Sequence, residues 1–349
     1  MVVKSVRFAG ILAGLLWLAW IGAAEKTIVR VGHFPNITHP QAVIGHGETR
    51  LGKGWFETFL GPDVEVQWYV YPAGPSAMEA LFAHSLDLVY VGPSPTINAY
   101  IKSKGKEVRV ICGACSGGAA LVVKPGVIKR IADFKDKIIA TPQLGNTQDI
   151  AARAWFRSKG FRFHLFGGDV RIIPMENVDQ LTLFKQGDLD GAWSVEPWVS
   201  RLVLEAKGEI YLEEESLWPE TGGKYTTTHL VSRRAFLEER PDLVKQWILG
   251  HVELTDWISA HEQEAQTLFN QEIKKEVFQP LSQAVLQRAW KKLEATYAPI
   301  QASVRRYAQL AFEVGILKQK PDLSHLYELA LLHEVLEERR TRGKDDGRK

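Results

Sequence analysis

The feature that most limits what this chain can fold into is a β-α-β-α alternation that starts at Thr27 and begins again near Ala119. Residues 27–31 and 64–68 have the β-branched, alternating character of strands, and a stretch of helical length, 41–59, lies between them. Segments 78–82 and 96–101 predict helices, 86–91 and 108–112 strands, with glycine and proline at the joints. Such a chain buries both faces of its strands as a doubly wound α/β sheet. The second run repeats the grammar, with strands at 119–123, 138–140, 170–173 and 191–193 and helices at 149–158 and 179–185.

A local echo supports two lobes of like layout. Leu81-Phe82, Leu86-Asp87 and Gly92-Pro93 are matched in order by Leu183-Phe184, Leu189-Asp190 and Glu196-Pro197. Each copy reads as a helix end, an Asp-containing turn, a strand, and a proline opening the next helix. After a β-rich run at 225–231 the chain turns helical, at 241–260, 283–296 and 301–317. The β-rich runs near Ala119 and Thr227 are expected to be crossings between lobes, a natural hinge. The expected division is 1–24 as an address, 25–117 as the first part of lobe 1, 118–224 as an inserted lobe 2, 225–318 as the return to lobe 1, and 319–349 as a charged extension.

Residues 1–24 combine Lys4 and Arg7, an apolar run over 8–21, and the small-residue exit Gly22-Ala23-Ala24. That is the pattern of a secretory signal peptide. About 14 helical residues reach ~21 Å, short of a ~30 Å hydrocarbon core. An uncleaved anchor would leave the body on the same outer side. Removing Lys4 and Arg7 takes the 43 basic residues to 41, equal to the 41 acidic ones. A balanced body has no general attraction for nucleic acid or anionic lipid, so any bound anion must be held by local geometry. Ten of the last thirteen residues, 337–349, are charged, which predicts a solvated, disordered tail.

In open α/β sheets ligands lie beyond the carboxyl ends of strands, beside helix N-termini with unsatisfied N–H groups and a positive dipole end. The junctions there are small and polar: Asn36-Ile37-Thr38-His39, Ala73-Gly74-Pro75-Ser76, Gly92-Pro93-Ser94-Pro95, Ser116-Gly117-Gly118, Gly145-Asn146-Thr147 and Ser194-Val195-Glu196-Pro197. They suit a neutral hydrogen-bonding cage for an anion. Capping is the competing explanation. Ser76 and Glu79 have capping-box spacing, Thr38 and Gln41 nearly so, and Ser94 before Pro95 fits an N-cap with proline at N1. Glu196 either complements a helix dipole or faces the cleft and selects a ligand amine. Trp193 and Trp198 read as core.

Cys112 and Cys115 have redox spacing but end a strand, so free or loosely paired thiols are expected, with a disulfide open after export. His33, His39 and His46 stand six and seven residues apart, which matches no compact ligand spacing, so no metal is expected. No Gly-x-Ser-x-Gly elbow, Walker loop or Gly-x-Gly-x-x-Gly fingerprint occurs, and neither a nucleophile nor a cofactor is expected.

The run 31–39, with Ala73-Gly74-Pro75-Ser76-Ala77-Met78-Glu79-Ala80-Leu81, Val91-Gly92-Pro93-Ser94-Pro95, Thr141-Pro142-Gln143-Leu144-Gly145-Asn146-Thr147 and Trp193-Ser194-Val195-Glu196-Pro197-Trp198, resembles the periplasmic substrate-binding proteins of ABC importers for nitrate, aliphatic sulfonates and taurine. The resemblance covers residues 26–318. It implies a type II periplasmic binding protein whose two lobes close on a ligand, acting as a monomer with a membrane permease and its ATPase. By the same resemblance the ligand lies among His39, Gly74, Ser94, Gly118, Asn146, Thr147, Glu196 and Thr227. Asn146-Thr147 stands where sulfonate binders often carry Ser-Thr, and Cys112 and Cys115 stand where small residues are usual. The expectation is therefore an exported receptor for a small anion or zwitterion. The competing class is an enzyme on the same fold, of the pyrimidine-forming or dehydratase kind, with His39 or Glu196 as acid or base. A sensor subunit is the third possibility.

Overall fold

A computed structural model describes residues 26–164 and 167–346. The proposed signal segment and residues 347–349 lie outside it. The chain begins with β1 (Thr27–His33), α1 (Pro40–Arg50), α2 (Glu57–Leu60), β2 (Val64–Val70), α3 (Gly74–Phe82), β3 (Leu88–Val91), α4 (Pro93–Lys102) and β4 (Val108–Gly117). It continues through β5 (Ala119–Val123), β6 (Ile138–Thr141), α5 (Thr147–Ser158), the short ribbon β7 (Phe163–His164) and β8 (Gly167–Gly168), and β9 (Arg171–Pro174). Then come α6 (Asn177–Gln186), β10 (Gly191–Val195), α7 (Trp198–Ala206) and β11 (Glu209–Glu213). The return comprises β12 (Thr226–Arg233), α8 (Arg234–Glu239), α9 (Pro241–Ala260), α10 (Glu262–Val277), α11 (Gln283–Trp290), β13 (Leu293–Ala295), α12 (Gln301–Glu313) and α13 (Ala330–Asp346).

The strands make two main sheets, a six-stranded one in the order β13-β4-β12-β3-β1-β2 and a five-stranded one in the order β11-β5-β10-β6-β9. Each has a parallel half built from crossover helices, β2-β1-β3 and β9-β6-β10, extended by antiparallel strands. The sheets are thus mixed rather than wholly parallel. The chain passes between them at Gly117 and Gly118, with φ of 89° and 85°. Two successive left-handed residues turn β4 into β5, and only glycine enters that region without strain.

The sequence echo has a structural cause. Asp87, before β3, accepts a hydrogen bond from the Arg30 backbone N–H in β1 at 3.0 Å. Asp190, before β10, accepts one from Ile138 at the start of β6 at 2.9 Å. In both sheets a carboxylate pins the strand it precedes to its parallel neighbour, satisfying a backbone donor that the ladder leaves open.

Several expected bounds move. The stretch 41–59 breaks after Arg50 because Gly52 and Gly54 adopt positive φ. The helix expected over 283–296 ends at Trp290, and β13 then pairs with β4. The strand expected over 108–112 runs on to Gly117, so Cys112 and Cys115 lie within it. Both thiols are free and buried, and burial pushes their pKa values up, which disfavours the reactive thiolate.

The disordered tail is also a correction. Through Asp346 it is α13, with Leu332 and Val335 buried against the first unit's core. Its charges pair with α9: Lys245 reaches Glu334 at 3.0 Å and Glu338 at 2.8 Å, and Arg339 reaches Asp256 at 2.8 Å. The count of charges over 337–349 leaves out this apolar stripe just upstream. Leu332→Ala should therefore cost about 2–5 kcal/mol in chemical denaturation, the range for a buried leucine. A change within about 0.5 kcal/mol, normal for a surface site, would show that α13 is not packed.

Candidate functional site

The turn at Gly92 is where the two sheets' strand tips meet. Gly92 N-caps α4, Pro93 takes N1, and Ser94 lies inside the first turn, two positions later than its expected capping place. Asn146 N-caps α5 through Oδ1, which accepts from the Asp149 N–H at 2.8 Å, and Thr147 follows at N1. The Ser94 N–H lies 3.5 Å from Thr147 Oγ1. A Cβ on Gly92 would sit 3.4 Å from both Thr147 Oγ1 and the Thr227 carbonyl oxygen. Gly74, at the start of α3, packs on the Pro95 ring so closely that a Cβ would overlap it. Gly74, Ser94, Thr147 and Thr227 therefore converge, and Asn146 adjoins them in the chain.

Their polar atoms are unevenly satisfied. Thr227 Oγ1 donates to the Gly117 carbonyl at 2.6 Å, fixing β12 to the crossing. Ser94 Oγ is buried with no hydrogen-bond partner among the described residues, which is costly unless something else pairs with it. Two helix N-termini, from different sheets, bring like-signed dipole ends together at this point. Deeper on β12, His229 Nε2 meets Thr96 Oγ1 at 2.8 Å, and burial lowers His229 to about 3, so the imidazole is neutral. Sequence reasoning missed His229, because it sits inside a β-rich run with no turn to mark it.

Glu196 corrects the expectation of a carboxylate free for a ligand amine. It is fully buried, Oε2 accepts from the Ser200 N–H at 2.9 Å, and Oε1 pairs with Arg288 at 3.1 Å. Arg288 also donates to Ser200 Oγ at 2.9 Å. Because Arg288 comes from α11, the pair ties the return segment to the second sheet. Gly118 accepts from the Glu196 N–H at 2.8 Å through its carbonyl, and its positive φ is needed for the crossing. Trp193 is in the core as read, with Nε1 donating to Glu214 at 2.7 Å, while Trp198 stacks under Arg201.

His39 is the N-cap residue of α1, but no side-chain capping bond forms; its ring packs on Phe34 at 4.6 Å, and Phe34 N–H points at Nδ1 from 3.5 Å. Burial lowers its pKa well below the usual imidazole value, assisted by nearby His33 and opposed by Glu276. Neither expected capping box forms: Ser76 Oγ donates to the Ala73 carbonyl, and Gln41 reaches Ala114 and Thr255. A broad groove between α10 and α11 contains none of the eight expected site residues.

Glu214 is a second buried carboxylate that the sequence hid within the acidic run 213–215. It accepts from Trp193 and, at 2.6 Å, from the Tyr307 hydroxyl of α12, and burial pushes it up to about 6. Folded Glu214 binds its proton more tightly than the unfolded chain does. Its contribution to stability is therefore full below the ordinary value of 4.5 and declines as pH rises through about 6. Glu214→Gln should flatten that part of the stability profile in denaturation series at stepped pH.

Two α/β units, joined by paired crossings with their strand tips opposed, have the fold of type II periplasmic binding proteins. The chain belongs to the NMT1-like family, whose model matches residues 22–269. It is 25% identical over 294 residues to a putative aliphatic sulfonates-binding protein of Bacillus subtilis, covering 83% of this chain and 85% of the relative. The alkanesulfonate-binding protein of Xanthomonas axonopodis pv. citri bound to MOPS, 18% identical, matches with a TM-score of 0.69 over 88% of this chain and 100% of its own. The periplasmic nitrate-binding protein of Synechocystis, 14% identical, matches with a TM-score of 0.73 over 90% and 89%.

Proposed function

We propose that this protein is an exported solute receptor of an ABC importer, which captures a small oxyanion-bearing solute and delivers it to a membrane permease. An aliphatic sulfonate, a taurine-like molecule or nitrate fits the proposal. The observation that carries it is the meeting of the α4 and α5 N-termini at Ser94 and Thr147, with Ser94 Oγ buried and unpartnered. A negative guest between them neutralises both dipole ends and accepts from hydroxyl and backbone N–H donors. The balanced charge of the body agrees with this, since recognition is then local.

In this reading 25–117 with 225–318 forms one lobe and 118–224 the other, and the crossings at Gly117-Gly118 and Tyr225 act as the hinge. Ser94, Thr147 and Thr227 hold the anion, with Gly74, Gly118 and Asn146 shaping the wall and His39 closing the α1 side. The Arg288–Glu196 pair spans the lobes as a latch. The relatives named above are binding proteins, which supports a receptor over an enzyme, as does the engagement of Glu196 by Arg288 and Ser200.

Calorimetry with ethanesulfonate, taurine and nitrate tests the reading. Ser94→Ala and Thr147→Ala should each weaken the bound anion by about 1–3 kcal/mol, as for hydrogen bonds to a charged group. Unchanged affinity in both variants removes these residues from the site. Glu196→Gln should weaken taurine and ethanesulfonate alike, because its partner is Arg288 rather than a ligand amine. A loss confined to taurine would restore amine recognition.

A further inference from the structure

A second cluster of chemistry-bearing side chains lies beneath the loop that carries His39. His33 is the last residue of β1, His46 lies in α1, and Glu276 is in the final turn of α10, 230 residues beyond His46. Their facing atoms form a triangle: His33 Nε2 to His46 Nδ1 is 3.0 Å, His46 Nδ1 to Glu276 Oε1 is 2.9 Å, and His33 Nε2 to Glu276 Oε1 is 3.2 Å. The side chains of His33 and Glu276 are fully buried and that of His46 is 9% exposed.

The protons available to neutral rings do not satisfy this triangle. His33 Nδ1 faces the Phe34 carbonyl at 3.2 Å, and a carbonyl only accepts. The ring's proton therefore belongs on Nδ1, and Nε2 presents a lone pair. A proton on His46 Nδ1 can serve both neighbours, but it leaves His33 Nε2 and Glu276 Oε1 with lone pairs opposed. Glu276 Oε2 is a further buried oxygen without a partner among the described residues. A proton on His33 Nε2 as well would make a buried ion pair with Glu276, the form open to the triad without a metal.

We propose that His33, His46 and Glu276 bind a borderline divalent cation, zinc foremost, with water or the neighbouring Glu272 as a fourth ligand. A triangle of about 3 Å edge has a point ~2.0–2.1 Å from all three corners, roughly 1 Å off its plane, and that is the zinc–nitrogen and zinc–oxygen bond length. The Phe34 carbonyl supplies the outer contact that fixes the ligating tautomer of His33. Two imidazoles among three donors disfavour calcium and magnesium, which take oxygen. Glu272 Oε1 is 3.8 Å from His46 Nδ1 and is held by Arg50 at 2.6 Å, while Lys275 lies 3.7 Å from Glu272 Oε2. The ion would staple β1, α1 and the distant α10 together.

Zinc titrated against a chromophoric chelator, using the tag-free full chain cleared of metal, should reach one ion per chain and raise the thermal midpoint. Magnesium and calcium should do neither. His46→Gln and Glu276→Gln should each weaken zinc at least tenfold. Anomalous diffraction at the zinc edge from wild-type crystals, which needs no variant, should place the ion within bonding distance of all three donors. Absence of stoichiometric zinc, an anomalous peak elsewhere, or unchanged affinity in a folded variant overturns the proposal and leaves a hydrogen-bonded triad. Sulfonate binding is measured separately, so failure here does not bear on the receptor reading.

Discussion

The arrangement turns on an electrostatic opposition, two helix N-termini held face to face by separate sheets. Each dipole end carries about half a positive charge, and in a buried place that charge is poorly screened. Here α5 is capped by Asn146, while α4 has Gly92 at its N-cap and no side-chain cap bond. The carboxylates nearby serve elsewhere: Asp149 is held by Thr141, the Gly145 N–H and Arg153, and Glu196 by Arg288. The polypeptide thus leaves the α4 end without a side-chain cap, while Asn146 and the first-turn Asp149 answer the α5 end.

Keeping those ends in place depends on packing between the units. One hydrophobic cluster includes Val91 and Ile97 near the α4 turn, Trp155 on α5, Trp193 on β10, and Tyr307 on α12. The return helix α12 touches both α4 and α5, so it buttresses the two helices whose starts meet. Polar ties cross the same boundary, the buried ones including Tyr307 to Glu214 and Arg288 to Glu196. Such ties specify an orientation more than they add stability, since each carries the desolvation cost of a buried charge.

Much of the fold could be read in the sequence because its signals are local. Alternation marks strands, glycine and proline mark joints, and the Asp87 and Asp190 echo marks a duplicated strand clamp. The junctions at Gly74, Ser94 and Thr147 could be picked out because each follows the carboxyl end of a strand, whereas Thr227 came only from the family resemblance. The groups that were missed depend on contacts between distant segments. Arg288 looks like any helical arginine until α11 lies beside α7. Glu214 sits in a run of acids that resembles a solvated face. His33 and His46 show no recognisable spacing, since α10 supplies their third partner. The α13 misreading came from counting charges without asking which face of a helix they occupy.

The position of β12 carries a consequence for how the chain is made. It lies between β3 and β4, yet it is synthesised more than a hundred residues after either of them. Until Thr226–Arg233 emerges, β3 and β4 have no partner at their shared seam, and both present open backbone and apolar side chains. The inserted unit can complete its own five strands first. The earliest-made sheet is therefore finished only after the inserted unit, and a nascent chain needs shelter from aggregation until β12 emerges.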